Sequence, residues 1–138
     1  MSDVSILVPA LGKTWNVTAP TQSVKKAFVQ RLKQQARKEL EEAKADIGED
    51  AYHTQLSMHL NACTAGIYGW NELTARQARD HEDGKLWLLS LILLRNHPDL
   101  TAVDDTPAAQ PMYEANPAEF DKALELVCNP VPNSRPPG

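Results

Sequence analysis

Residues 21–48, TQSVKKAFVQRLKQQARKELEEAKADIG, form the longest regular stretch of the chain. Val24, Phe28, Leu32, Ala36, Leu40, Ala43 and Ile47 recur at steps of three and four, a spacing that gathers them on one face of a helix. Pro20 precedes the stretch, Thr21 or Ser23 offers a hydroxyl to the first unpaired amides, and Gly48 suits the left-handed residue that closes helices. One long amphipathic helix therefore anchors the reading, and the fold class it predicts is mainly α.

Toward the C-terminus the same logic predicts a second helix over residues 49–64, with Tyr52, Leu56, Leu60 or His59, and Cys63 on one side. A third is predicted over Leu73–Asp80. A fourth starts at Asp83 or Gly84 and runs through the nine-residue apolar stretch 86–94, LWLLSLILL. Apolar on nearly every face, it is predicted to lie centrally, covered on all sides. It is far shorter than the roughly 20 residues a membrane span needs, and His97-Pro98 stops it, because proline disfavours helix at the residue before it. Residues 99–115, with two prolines and no clear period, read as a surface connection with room for one helical turn. Asn116-Pro117-Ala118-Glu119 is a helix start signal, after which Phe120, Ala123, Leu124 and Val127 form an apolar face.

Toward the N-terminus, residues 4–8 and Lys13–Thr18 are rich in β-formers and predict a hairpin joined by residues 9–12. A lone two-stranded hairpin is marginal in water, so it must dock on the helices or on another chain. The expected organisation is a single domain over residues 1–128, with the hairpin in 1–19 and about five helices in 21–128. Residues 129–138, NPVPNSRPPG, hold four prolines in ten and predict a disordered tail.

Composition narrows the function classes. The 138 residues are 42% hydrophobic and 23% charged, ordinary for a globular domain. A net charge of -4 argues against nucleic acid as the main partner, since backbone binders are usually basic over the domain. Cys63 and Cys128 stand far apart in a chain that opens MSDVSILV, without the basic and apolar regions of a signal peptide. Free thiols and a reducing, cytoplasmic setting are expected.

The charge order of the first long helix is unusual. Lys25, Lys26, Arg31, Lys33, Arg37 and Lys38 fill its first half without an acid, and Glu39, Glu41, Glu42 and Asp46 dominate the second beside Lys44. The helix macrodipole favours the opposite order by about 0.3–1 kcal/mol per well-placed charge. Lys26, Lys33 and Arg37 follow one flank of the apolar stripe, Arg31 and Lys38 the other. The plain reading is a solvated face whose long stems cover apolar surface; the functional one is a surface for an acidic partner or a second copy of the chain.

Ile67-Tyr68-Gly69-Trp70 brings large side chains to a glycine-bracketed turn and is the second candidate partner-binding element, with core packing as the plain alternative. His59 and Cys63, four apart, share a helical face, but no CxxC or HExxH supplies further ligands, so no metal and no cofactor are expected. Ser90 lies within the apolar helix, where its hydroxyl is expected to bond a carbonyl one turn back. No GxSxG, GxxxxGK[ST] or GxGxxG occurs, and the adjacent carboxylates Glu82-Asp83 and Asp104-Asp105 read as solvated, so no catalytic residue is assigned.

In order, GKTWNV near the start, the long charged helix, GIYGW, Arg76-Gln77-Ala78-Arg79, the leucine-rich helix ending RNHPDLT and NPAEFDKAL resemble the short tail assembly chaperones of long-tailed bacteriophages over residues 4–128. The resemblance implies a non-enzymatic protein that coats the tape measure protein in the host cytoplasm, keeps its apolar helices soluble and helps recruit tail tube subunits. It also implies that the segment from Asn129 suits a linker to a frameshifted second domain. The family supplies no residue-level site. A structural adaptor or connector of the virion and a small DNA-binding regulator using Lys26, Lys33 and Arg37 are the alternatives, and a homo-oligomer remains open.

Overall fold

The computed structural model describes residues 5–101 and 107–128. Within them the order is β1 (Ser5–Ala10), β2 (Lys13–Thr18), α1 (Gln22–Ile47), α2 (Glu49–Ala65), α3 (Leu73–Asp80), α4 (Glu82–Asn96), α5 (Gln110–Ala115) and α6 (Pro117–Cys128). The chain is mainly helical with an N-terminal hairpin, as its periodicities imply. The proline-rich tail and the Asp104-Asp105 pair lie outside the described residues.

The core is built around α4. Leu88, Leu89, Ser90, Ile92 and Leu93 are buried, and Phe28 of α1, Phe120 of α6 and Val8 and Val17 of the hairpin close over them. Ser90, the buried polar residue of this helix, is satisfied twice: its hydroxyl donates to the Leu86 carbonyl at 2.7 Å and accepts from the Ala109 amide at 2.9 Å. The second bond pins the start of α5 to the core.

That helix is where the structure departs most from the sequence reading. Ala108, Ala109, Met112 and Tyr113 are all buried. The latter part of the expected surface connection is therefore a sixth helix and part of the core. Six residues are too few to display a helical period, and its burial comes from the surrounding helices and strands.

The hairpin also differs. Its strands pair antiparallel from Ser5↔Thr18 to Ala10↔Lys13, so β1 continues through Pro9. The connection is only Leu11-Gly12, with φ of +53° and +72°. Positive φ at both central residues marks the tight turn whose twist matches a β-hairpin, a conformation glycine enters readily and leucine does not.

The hairpin is firmly seated. Val8, Ala10, Trp15 and Val17 are buried, and the Trp15 indole donates to the Ala10 carbonyl at 2.9 Å. Asn96, at the end of α4, donates to the Asn16 carbonyl at 2.7 Å and to Thr18 Oγ1 at 3.0 Å, and Asn116 donates to the Pro9 carbonyl at 2.8 Å.

One link in this docking is titratable. The Asn16 amide donates to His97 Nε2 at 2.9 Å, so the ring carries its proton on Nδ1 and is neutral when the bond is made. Burial, reinforced by Lys13, lowers the pKa of His97 from its ordinary value. A histidine depressed in the folded state stabilises fully above its unfolded pKa of about 6.5 and loses that contribution as pH falls below it. Urea unfolding at pH 7.5 and pH 5 is therefore expected to show a larger loss of midpoint in the native chain than in His97→Gln, which keeps an acceptor but does not titrate. Equal losses in the two proteins exclude this role.

The N-terminal part of α1 belongs to the core, and the rest does not. Val24 and Phe28 are buried and Leu32 packs against the same cluster, whereas Ala36, Leu40, Ala43 and Ile47 are half-buried against α2. No residue of α2 joins the core; Tyr52 is buried outside it, and α1 is the element α2 packs along. At 1.5 Å per residue, about 22 Å of α1 beyond Leu32 forms with α2 a two-helix arm.

Candidate protein-binding face

The root of the arm carries most of the predicted site residues and sorts them into two depressions, one on each side of the α1 ridge. On one side Lys25, Lys26 and Lys33, with Gln22, Val29 and Gln30, face Trp70 and Asn71 around a hollow of about 450 Å³. On the other, Arg31, Gln34, Gln35 and Lys38 face Trp87 of α4 around a hollow of about 380 Å³. Each has a tryptophan wall and no carboxylate, with three cations around the first and two around the second. The flank assignment of Lys26 and Lys33 against Arg31 and Lys38 is realised in space.

Trp70 is positioned by two neighbours through three contacts. Its ring meets Phe28 edge-on at 5.6 Å, the Arg79 guanidinium stacks on it at 3.9 Å, and Arg79 Nη1 donates to the Trp70 carbonyl at 2.8 Å. Burial lowers the Arg79 pKa from its ordinary value without threatening its charge. The turn that delivers Trp70 begins at Gly66, with φ +79°. The Gly66 amide donates to the Cys63 carbonyl at 3.1 Å and the Ile67 amide to Ala62 at 3.2 Å, the paired bonds of a Schellman motif. Sequence reading passed over Arg79 as a site residue; its only signal was an arginine one helix after a tryptophan.

The geometry accounts for part of the reversed charge order. Lys25 lies 5.6 Å from the Trp70 ring and Arg31 3.4 Å from the Trp87 ring. Cation–π contacts at such exposed sites contribute about 0.5–1 kcal/mol, enough to offset an unfavourable dipole position. Arg37 instead pairs with Glu41 at 3.4 Å, outside both depressions. Lys26, Lys33 and Lys38 have no ion pair or ring contact among the described residues, and these three leave positive charge on the surface.

The other predicted residues separate. Ile67 is 43% exposed and lines neither hollow. Tyr68 turns back to α2, its hydroxyl 3.3 Å from His59 Nδ1, while His59 Nε2 lies 3.6 Å from Cys63 Sγ. Burial raises the Tyr68 pKa, with a smaller push from Cys63. No group of three His, Cys, Asp or Glu suited to a metal occurs among the described residues. The cysteines are both half-buried free thiols, and burial pushes the Cys128 thiol up to about 11.

A third hollow of about 520 Å³, between α3, α4 and α6, balances Arg76, Arg79 and Lys85 against Asp80, Asp121 and Glu125. Three of these six groups are committed, Lys85 and Asp121 to each other and Arg79 to Trp70. Lys85 Nζ and the Tyr113 hydroxyl both donate to Asp121 Oδ1, at 2.9 and 2.8 Å, and the bond that Lys85 donates to Asp121 raises the Lys85 pKa while burial raises that of Tyr113. With no net sign of charge, this hollow selects no ligand class. No helix among the described residues is long and apolar enough to cross a membrane. The chain matches no protein-family model, no curated protein and no solved structure.

Proposed function

We propose that this chain is a non-enzymatic assembly chaperone that holds apolar helices of a protein partner in solution through its α1–α2 arm. The observation that carries the reading is that α2 lies outside the core and leaves large apolar side chains in water along it and just beyond it: Met58 is 65% and Leu60 48% exposed on α2, Ile67 43% in the turn that follows, and Leu73 64% at the start of α3. Met58 and Leu60, two residues apart, leave α2 on opposite flanks of its packed side, so apolar area is offered to a partner on both flanks of the helix and around the turn after it, and methionine adapts to varied partners. The sequence resemblance to phage tail assembly chaperones gives the proposal its specific form: the partner is the tape measure protein, tail tube subunits are recruited around it, and the work is done in the host cytoplasm.

Co-expression with the tape measure protein of a long-tailed phage tests this. The expected result is a soluble complex containing a partner that is insoluble when expressed alone. Met58→Asp and Ile67→Asp together, at exposed positions that leave the core untouched, are expected to cut recovery about tenfold, the effect of losing one or two interface anchors. If the partner stays insoluble beside an abundant, folded chain, the chaperone reading fails.

A further inference from the structure

We propose that copies of this chain associate head to tail, the acidic tip of one α1–α2 arm seating in the basic, Trp70-walled groove at the root of the next. Two patches of opposite sign lie on one rigid element. At the root, Lys26 and Lys33 line a groove that contains no carboxylate and make no ion pair among the described residues. At the tip, Glu42, Asp46, Glu49 and Asp50 are exposed around the α1–α2 junction and likewise make no ion pair among the described residues.

Within one copy the patches cannot satisfy each other. Lys26 and Asp46 are twenty residues apart on a continuous helix, about 30 Å. That exceeds three Debye lengths of about 8 Å at physiological ionic strength, so their attraction is screened away. A second copy removes the separation by presenting its tip to the first copy's root. Placing Lys26 and Lys33 ahead of Glu42 and Asp46 on α1, against the macrodipole, is then explained by use between copies, while Glu49 and Asp50 open α2, where the dipole favours them.

A symmetric alternative is disfavoured by the same charges. Two α1 helices laid antiparallel about a two-fold axis would set each flank against the identical flank of the other copy. Lys26, Lys33, Arg37 and Lys44 step along one flank by seven, four and seven residues, so that arrangement opposes cation to cation, offset only at Arg37 by its pairing with Glu41. Head-to-tail contact uses different patches on the two copies and propagates into rings or open filaments. This inference does not depend on the chaperone reading and needs no other protein.

Sedimentation velocity tests it on the full chain alone. At about 50 mM NaCl the native chain is expected to show concentration-dependent species larger than a monomer, dispersing to monomer at about 500 mM as the Debye length falls toward a few ångströms. The neutralised root variant K26Q/K33Q and the neutralised tip variant E42Q/D46N are each expected to remain monomeric at low salt. All four positions are exposed or half-buried away from the core, so folding is retained, which circular dichroism checks. An equimolar mixture of the two variants contains one intact root and one intact tip and is expected to stop at a 1:1 dimer. A native chain that stays monomeric at low salt overturns the proposal, as does either variant associating like the native chain, or a mixture that forms no dimer.

Discussion

Replacing Phe28 with alanine is expected to destabilise the whole protein by about 3–5 kcal/mol, the range for truncating a fully buried aromatic side chain. Phe28 is 1% exposed, sits in the α4 core and supports the edge of Trp70 at 5.6 Å, so the substitution empties the junction between arm and body. Three turns further along the same helix, Leu40→Ala is expected to behave differently. Leu40 is half-buried against α2 alone, and losing it removes contacts only within the arm. Its effect on global unfolding is expected to be about 1 kcal/mol, with faster hydrogen exchange over the distal part of α1 and over α2. Denaturant unfolding combined with exchange separates the two results; equal global losses would mean the arm is part of the cooperative core.

Gly84→Ala is expected to cost about 3 kcal/mol, lowering the thermal midpoint by roughly 10 °C in a domain of this size. The reason is steric. A Cβ at Gly84 would stand 1.9 Å from the Ala78 carbonyl oxygen and 2.7 Å from its carbon, both backbone atoms at the end of α3. No side chain can rotate away, so the α3–α4 corner must open and pull at the core around Ala75 and Leu88. Gly66→Ala provides the contrast. Its Cβ would meet nothing within 4 Å, and the substitution suffers only from the positive φ of +79°, about 1 kcal/mol. Calorimetry that ranks Gly66→Ala as the worse of the two contradicts this account.

The elements legible in the sequence are those with both a period and punctuation. Thr21 caps α1, its hydroxyl accepting from the Val24 amide at 3.3 Å, and Gly48 closes the helix with φ +88°. His97-Pro98 ends α4, Asn116-Pro117 opens α6, and the back-bond of Ser90 was readable from a hydroxyl in an apolar helix. What the sequence hid depends on neighbours distant along the chain. The burial of α5 follows from Ser90 nineteen residues earlier. The firm seat of the hairpin depends on Asn96 and His97, some eighty residues away.

The candidate face shows the same division. A helical wheel was enough to place Lys26 and Lys33 on one flank and Arg31 and Lys38 on the other. It could not place Trp70 and Trp87 as the walls of the two hollows, because those rings arrive from a turn and from a different helix. Nor could it tell that Arg37 is tied to Glu41 or that Tyr68 faces His59. The glycines around Ile67 and Tyr68 suggested three large side chains packed together, yet only Trp70 joins the core cluster's edge and Ile67 stays in water.

The most direct measurement is hydrogen–deuterium exchange on the chain alone and co-purified with a long apolar helical partner such as a tape measure protein. The account predicts that the free chain exchanges fastest over the distal part of α1 and over α2, and that the partner adds protection there while the hairpin, α4 and α6 are unchanged. Added protection confined to the hairpin or α6, or no change anywhere in a verified complex, would contradict the assignment of the arm as the partner-binding element.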